Sequence, residues 1–292
     1  MKAVAAKIPE VLETDLFGIR VTELPFFSTE FHFHRECQMV YVMESEGKRI
    51  VGDSVEVFES EEIILLGSDI PHVWYNDKRY FEHEKHEVHA RSIALFFHPE
   101  KILTALAQFT PTNKLESVLK KASRGMKFSS RTKQQLKRLL LDISREEDIT
   151  RFATFIKILE VISNTSDFEL LASEGYFNNY QAKDTDRIDK VFRYVFSHFS
   201  EEIHLDRVAS LVNMNKQAFC RYFKTRTQKT FTSFVNEVRI GHVCRVLADG
   251  EMPIAGLAYQ CGFNSLSNFN KFFKAIKGIT PREYLKMLQA IN

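Results

Sequence analysis

A chain of 292 residues is long enough for two domains, each with its own core, and 44% apolar against 27% charged residues is the balance of a folded protein, not a disordered one. Residues 1–9 hold no apolar run of signal-peptide length and no stretch of 18 apolar residues occurs anywhere, so neither a secretory leader nor a membrane span is expected and the cytoplasm is the expected location. The formal net charge of +2 hides an asymmetry: from Gln181 onward 17 Lys and Arg face 10 Asp and Glu, a balance of +7, while the preceding part carries −5. A basic C-terminal part beside a mildly acidic N-terminal part suits a nucleic-acid binder with a separate sensing domain. Cys37, Cys220, Cys244 and Cys261 form no CxxC pair, which is neither a zinc-ligand pattern nor a disulfide framework.

From residue 16 to 97 the pattern is strand-like. Short runs rich in Val, Ile and Phe, at 39–43, 50–51, 55–58, 63–66 and 93–97, are punctuated by Gly47, Gly52, Gly67 and Pro71. The spacing predicts a small antiparallel barrel or sandwich. Inside it lie His32-Phe33-His34-Arg35-Glu36 and Pro71-His72-Val73-Trp74-Tyr75-Asn76. Alternate histidines on a strand point to one side, and imidazoles suit zinc or iron, while Trp74 and Tyr75 are suited to walling an organic pocket. Polar side chains satisfied inside a small barrel are the plainer reading of the same residues. Over residues 17–97 these segments resemble the two cupin motifs, in which an HxH pair with a downstream acid, and a histidine followed by an asparagine, converge inside a jelly roll. Gln38 stands where the metal-binding form has a glutamate ligand and Glu36 comes too early, so no metal and no cofactor are expected. His32, His34, Gln38, His72 and Trp74 are instead expected to line an effector pocket. His83, His86 and His89, in a stretch without an apolar face, read as a solvated loop.

The period becomes helical between residues 99 and 180. Leu115, Val118 and Leu119 begin one helix; Ser129-Ser130 precede a second with Leu136, Leu139, Leu140 and Ile143 at i, i+3, i+4, i+7; Thr150 precedes a third through Ile162. Such a leucine stripe suits burial within the chain and burial against a second subunit alike. Residues 178–186, polar and without a stripe, are the expected linker, giving domains at 1–183 and 184–292.

The last part repeats itself. Val208-Ala209, Met214, Phe219 and Phe223-Lys224 are followed by Leu257-Ala258, Gly262-Phe263, Phe269 and Phe273-Lys274, the alanines 49 residues apart and the second phenylalanines 50. In each copy a short helix with a small alanine meets a turn, then a second helix places its phenylalanines i, i+4 toward a core. This is a helix-turn-helix pattern stated twice. The outward face carries Lys216, Gln217, Cys220, Arg221 and Lys224 in the first copy, and Ser265, Ser267, Asn268, Asn270, Lys271 and Lys274 in the second. Short amides and long cations on an exposed helix read base edges and hold phosphates.

The segment Gly262-Phe263-Asn264-Ser265-Leu266-Ser267-Asn268-Phe269-Asn270-Lys271-Phe272-Phe273-Lys274, with Lys277-Gly278-Ile279-Thr280-Pro281 and Tyr284, resembles the signature of AraC/XylS-type bacterial transcription regulators, over about residues 186–288. The resemblance implies an α+β protein: an N-terminal cupin-like antiparallel β-barrel with dimerisation helices, then an all-α domain with two helix-turn-helix units entering successive major-groove segments. Residues 231–247 then form the joining helix, with Phe231, Phe234, Val235 and Val238 on one stripe and Arg239 and Arg245 as cationic positions. The implied base readers are Gln217, Cys220 and Arg221 in one segment and Ser267, Asn270 and Lys271 in the next, with Lys224 and Lys274 on phosphates. The implied partners are double-stranded DNA, a small-molecule effector such as a sugar, a second copy of the chain and RNA polymerase, with no enzymatic activity. Gln228 departs from the pattern, standing where the second copy has Gly278. A metal-dependent cupin enzyme with a helical appendage is the rival reading.

Overall fold

The computed structural model describes residues 16–27, 31–76, 80, 89–176, 182–248 and 253–291, without the side chains of 182–186, 245, 248 and 287–291. The segment holding His83 and His86, residues 178–181 of the expected linker, and the Arg245 side chain therefore lie outside the described residues. The chain divides into two compact units, residues 1–54 with 58–182, and residues 55–57 with 183–292. No helix among the described residues is long and apolar enough to cross a membrane.

Over residues 17–170, strands β1 (Phe17–Leu24), β2 (Cys37–Glu44), β3 (Gly47–Val51), β4 (Ser54–Phe58), β5 (Glu62–Leu66), β6 (His72–Asn76) and β7 (Ala90–Phe97) are joined by two three-residue strands, β8 (Met126–Phe128) and β9 (Phe168–Leu170). They make a six-stranded sheet of order β1-β7-β2-β5-β8-β9 and a three-stranded sheet of order β4-β3-β6. The sheets stay separate rather than closing into the expected barrel, and the cupin-like character rests in their facing inner surfaces. Strand alternation sorts the side chains. Cys37, Met39, Tyr41, Ile63, Leu65, Ile93, Leu95 and Phe97 point to one side, into a core shared with α2 (Asn113–Ala122), α3 (Ser130–Ile143) and α4 (Asp148–Asn164). Val40, Val42, Ile64 and Leu66 point to the other, where they meet Val51, Phe58 and Trp74. Both faces of the central strands β2, β5 and β7 are thus buried, which is why they read as near-continuous apolar runs. Arg49 of β3 donates to Glu62 of β5 at 2.7 Å, both side chains buried, so an ion pair crosses between the sheets. β8 and β9 fall where only helix was expected; three residues are too few to display a period.

The leucine stripe is corrected by the packing. Leu136, Leu140 and Ile143 are 0% exposed within a single chain, in the core beneath β5 and β7 and against α4, while Leu139 lies at its margin. A stripe already covered by its own sheet has no surface left for a second subunit.

In the second unit α5 (Ala182–His198) begins inside the span expected as linker. After it, α6 (Leu205–Leu211) and α7 (Lys216–Thr227) form the first helix-turn-helix, α8 (Phe231–Ala248) joins, α9 (Ile254–Gln260) and α10 (Leu266–Lys277) form the second, and α11 (Pro281–Ile291) closes it. The repeat holds in atomic detail. Asn213 and Gly262 both take left-handed backbone, φ 56° and 83°, and the next residue's N–H returns to the alanine carbonyl: Met214 to Ala209 at 3.0 Å, Phe263 to Ala258 at 3.1 Å. Asn215 and Ser265 then cap the second helices, accepting from the N–H of Ala218 and Asn268. Asn264 is the extra residue before the second cap, which accounts for the shift from 49 to 50.

The helix α8 serves both copies, so its apolar residues do not keep to one stripe. Phe231 and Phe234 close on Phe192, Phe219 and Phe223 with ring centroids 4.9–5.5 Å apart in four pairs. Further along, Ile240, Val243, Cys244 and Leu247 join Leu257, Phe263, Phe269 and Phe273. Each buried phenylalanine is worth about 1.5–3 kcal/mol. Arg239, expected as a cationic position of the joining helix, is held inside the fold: Nε donates to the Phe199 carbonyl at 2.7 Å, Nη2 to that of Glu201 at 2.9 Å, and the guanidinium lies 5.6 Å from the Phe263 ring centre. A Cβ on Gly262 would stand 2.8 Å from the Phe199 oxygen, so the turn needs glycine for space as well as for φ.

Gln228 ends α7 in the left-handed region, φ 59°, as Gly278 does after α10 at φ 77°. A side chain there carries a steric cost that glycine avoids. Gln228→Gly is therefore expected to stabilise the second unit by about 0.5–1 kcal/mol, the left-handed penalty less glycine's extra chain entropy. Thermal unfolding followed by circular dichroism measures it, and a lower midpoint shows that contacts of the Gln228 side chain outweigh the strain.

Candidate nucleic-acid interface and histidine cluster

On α7 the buried positions Phe219, Phe223 and Thr227 recur every four residues, which turns Lys216, Gln217, Cys220, Arg221 and Lys224 to solvent on the far side. On α10 Phe269 and Phe273 do the same for Ser267, Asn268, Asn270, Lys271 and Lys274, all exposed. Ser265 differs from the expectation of a DNA contact, because its Oγ is the cap of α10. Lys216 reaches back to Asp206 at 2.6 Å, an exposed pair worth little in water and readily exchanged for a phosphate. The sequence reading missed the caps that aim these helices. Besides Asn215 and Ser265, Thr280 and Glu283 form a reciprocal box at the start of α11, with Thr280 N–H donating to Glu283 Oε2 at 2.7 Å. The T-x-x-E spacing was the available signal.

Of the four cysteines only Cys220 is exposed. Burial pushes the Cys37 thiol up to about 12 and also raises Cys244, while Cys261 is 1% exposed. Since the thiolate is the nucleophile, alkylation of the native protein is expected to modify Cys220 first and almost alone. Peptide mass mapping after a short exposure checks this; equal labelling of Cys37 shows that the sheet unit opens readily.

The second constellation lies between the sheets. His32 and His72 pair backbone to backbone, His72 N–H to the His32 carbonyl at 2.8 Å and the reverse at 3.2 Å. This brings residues 40 apart in sequence into ring contact at 4.3 Å, with His34 and His72 at 5.0 Å. His34 Nδ1 donates to the Glu36 carbonyl at 2.9 Å and His72 Nδ1 to that of Ile70 at 2.8 Å. His34 Nε2 stands 3.1 Å from the Gln38 side-chain amide. The ligand nitrogens of His32, His34 and His72 all lie within 4.8 Å of one another, and among the described residues no carboxylate joins them. Burial lowers His34 below the usual histidine range; burial, helped by the neighbouring His32 and His34, lowers His72 well below it, so both imidazoles are neutral at physiological pH. Trp74, on the same face of β6 as His72, has its ring centre 5.8 Å away. Tyr75 is one residue on and so belongs to the opposite face. Phe96, 5.8 Å from His34 and paired across strands with Gln38, completes the wall. It was not foreseen; its even position on β7 becomes informative only once β7 is known to pair with β2. His72 Nε2 and Trp74 Nε1 are buried without a hydrogen-bond partner among the described residues.

A family model described as a helix-turn-helix domain matches residues 208–287. The HTH-type transcriptional activator RhaS of Enterobacter sp. strain 638 is 22% identical over 241 residues, 80% of this chain and 81% of that protein. The TCP pilus virulence regulatory protein of Vibrio cholerae serotype O1 is 26% identical over 163 residues, 53% of this chain and 59% of that protein. Among solved structures, ToxT from Vibrio cholerae aligns over 94% of this chain and 99% of that chain, at 16% identity and a TM-score of 0.36.

Proposed function

From an AraC-type helix-turn-helix domain homologous to those of RhaS and the Vibrio regulator, we propose that this chain is a cytoplasmic, sequence-specific DNA-binding transcription regulator controlled by a small-molecule effector held between the N-terminal sheets. The observation that carries the reading is the pair of capped helices, α7 and α10, each set on a phenylalanine base by the same turn and each turning amides and cations outward. Residues Gln217, Cys220 and Arg221 read one major-groove segment, Ser267, Asn270 and Lys271 the next, and Lys224 and Lys274 hold phosphates. Asn268 flanks the second set and Lys216 exchanges Asp206 for the DNA backbone. Ser265 and Arg239 are left out, since each is occupied within the fold.

The effector reading is supported by the two buried, unpartnered polar atoms, His72 Nε2 and Trp74 Nε1, one an acceptor and the other a donor. An unsatisfied buried polar group costs about 1–3 kcal/mol, so a ligand offering one donor and one acceptor recovers that cost on binding. His32, His34 and Gln38 lie beside them. A second copy of the chain and RNA polymerase remain proposed partners, with the copy docking on a face other than the leucine stripe.

The test uses Cys220 as a reporter on the reading face. DNA flanking the chain's own gene, at saturating concentration, is expected to protect Cys220 from alkylation, and unrelated DNA to protect it less. Labelling that proceeds at the free rate in the presence of bound DNA removes α7 from the interface.

A further inference from the structure

The Tyr176 hydroxyl, like His72 Nε2 and Trp74 Nε1, is buried without a hydrogen-bond partner among the described residues. Tyr176 and Leu171 pack on the inter-sheet cluster that holds Val51, Phe58, Ala172 and Trp74. The Tyr176 ring lies against Gly52, where a Cβ would stand 3.0 Å from Cε1, and Gly52 follows Val51, the residue paired with His72. Burial, helped by the Asp53 carboxylate, raises the phenol above its ordinary range, so the hydroxyl keeps its proton and offers a donor as well as an acceptor.

The segment that carries this ring is tied down just before it. Leu171 N–H donates to the Gly125 carbonyl at 3.0 Å, Ala172 N–H to that of Arg124 at 2.8 Å, and Arg124 Nε back to the Ala172 carbonyl at 2.8 Å. Asp53, itself buried, then accepts from Ser173 twice, from the N–H at 2.9 Å and from Oγ at 2.6 Å. Both Asp53 oxygens are thus engaged three residues short of Tyr176, whose ring keeps an apolar seat and an unanswered hydroxyl. Packing alone does not require that hydroxyl, since phenylalanine fills the same seat without the cost of burying it.

Taking the space between the sheets as the effector pocket, the reading on which this rests, we propose that Tyr176 is a third polar contact of the effector and that the strap it ends, residues 171–176, carries the pocket's occupancy toward α5, which begins six positions later at Ala182. The lining sets the class of ligand. Trp74 and Phe96 offer flat faces, the buried imidazoles are neutral, and Arg49 and Glu62 compensate one another, so the demand left over is for hydrogen bonds. An uncharged molecule with a flat apolar body and one edge carrying both donors and acceptors meets it. By bonding the Tyr176 hydroxyl, such a ligand favours the strapped arrangement over any in which the ring has left its seat, and a ligand shifts an equilibrium by just that difference.

Benzamide, an uncharged flat ring with one amide, is the probe, read through the emission of Trp74, the one tryptophan of the chain. The full-length parent is expected to show a saturable change in emission, and hydrogen exchange of the peptide spanning 171–176 is expected to slow at saturation. Tyr176→Phe, without probe, is expected to melt about 2–4 °C above the parent because it removes an unanswered buried hydroxyl. It is also expected to need about five- to tenfold more benzamide, the worth of one hydrogen bond, and to show no slowing of exchange. Tyr259→Phe, at an exposed site, behaves like the parent in all three measurements. No saturable change in the parent removes the pocket itself, and the role of Tyr176 with it. A saturable change that Tyr176→Phe shares at the same half-saturation leaves the pocket standing and overturns the contact. A midpoint below the parent's overturns it too, because the hydroxyl is then already bonded, and unchanged exchange in the saturated parent overturns the part given to the strap.

Discussion

Arg221→Ala is expected to weaken binding to the cognate DNA site by about 1–3 kcal/mol, roughly 5- to 150-fold, and to blur the preference at a single base pair. The side chain is exposed on α7, one position beyond Cys220 and a turn beyond Gln217, on the face opposite buried Phe219 and Phe223. A guanidinium offers guanine O6 and N7 two parallel N–H groups in a rigid planar fork, a geometry that the flexible ammonium of a lysine does not fix. Lys224 and Lys274 lie a turn further along their helices, and their removal is expected to weaken binding to every sequence alike and to reduce the salt slope by about one unit per contact. With serine and asparagine at Ser267 and Asn270, α10 offers shorter readers than α7, so the half-site under Arg221 is expected to tolerate base changes less than the half under Lys271. Titration of both alanine variants against a library of site mutants measures this. A uniform loss for Arg221→Ala, with base preference intact, makes it a phosphate contact and shifts the reading face.

Arg49→Ala is expected to destabilise the first unit by about 3–5 kcal/mol, because it leaves Glu62 charged between the two sheets. The pair is 2.7 Å apart with side chains 0% and 5% exposed, and Lys127, at 3.5 Å from the other Glu62 oxygen, is one-third exposed and compensates only in part. The unfolding midpoint should fall by about 10 °C. The double variant Arg49→Met with Glu62→Leu, which removes both charges and retains volume, is expected to recover most of that loss, since replacing a buried pair by apolar groups is often neutral or favourable. If Arg49→Ala melts with the parent, water reaches Glu62 and the pair is not a structural link between the sheets.

Much of the second unit was legible because its signals are local. The alanine, the turn residue and the i, i+4 phenylalanines all lie within about one supersecondary unit, so each constrains its neighbour regardless of the rest of the chain. The left-handed residue after α7 was also legible, as an oddity at Gln228. Arg239 was not: its exposure in a helical projection is the same whether DNA or the carbonyls of Phe199 and Glu201 take its donors. β8 and β9 exist because the edge of β5 offered unpaired backbone groups, which no property of residues 126–128 or 168–170 announces.

By itself the sequence determined the repeated helix-turn-helix, the polar composition of its outward faces, the strand-rich character of residues 16–97 and the basic excess of the C-terminal part. Tertiary structure alone decided what covers each apolar stripe and where each polar atom is aimed. Periodicity specifies that Leu136, Leu140 and Ile143 are buried, but hydrophobic burial is non-directional, and only the neighbouring sheet made their partner the chain's own β5 and β7. His32, His34 and His72 became a site only when the backbone pairing of His32 with His72, 40 residues apart, brought the three rings to 4.3–5.7 Å centre to centre, and when the Ile70 carbonyl took the His72 Nδ1 proton and left its buried Nε2 without a partner among the described residues.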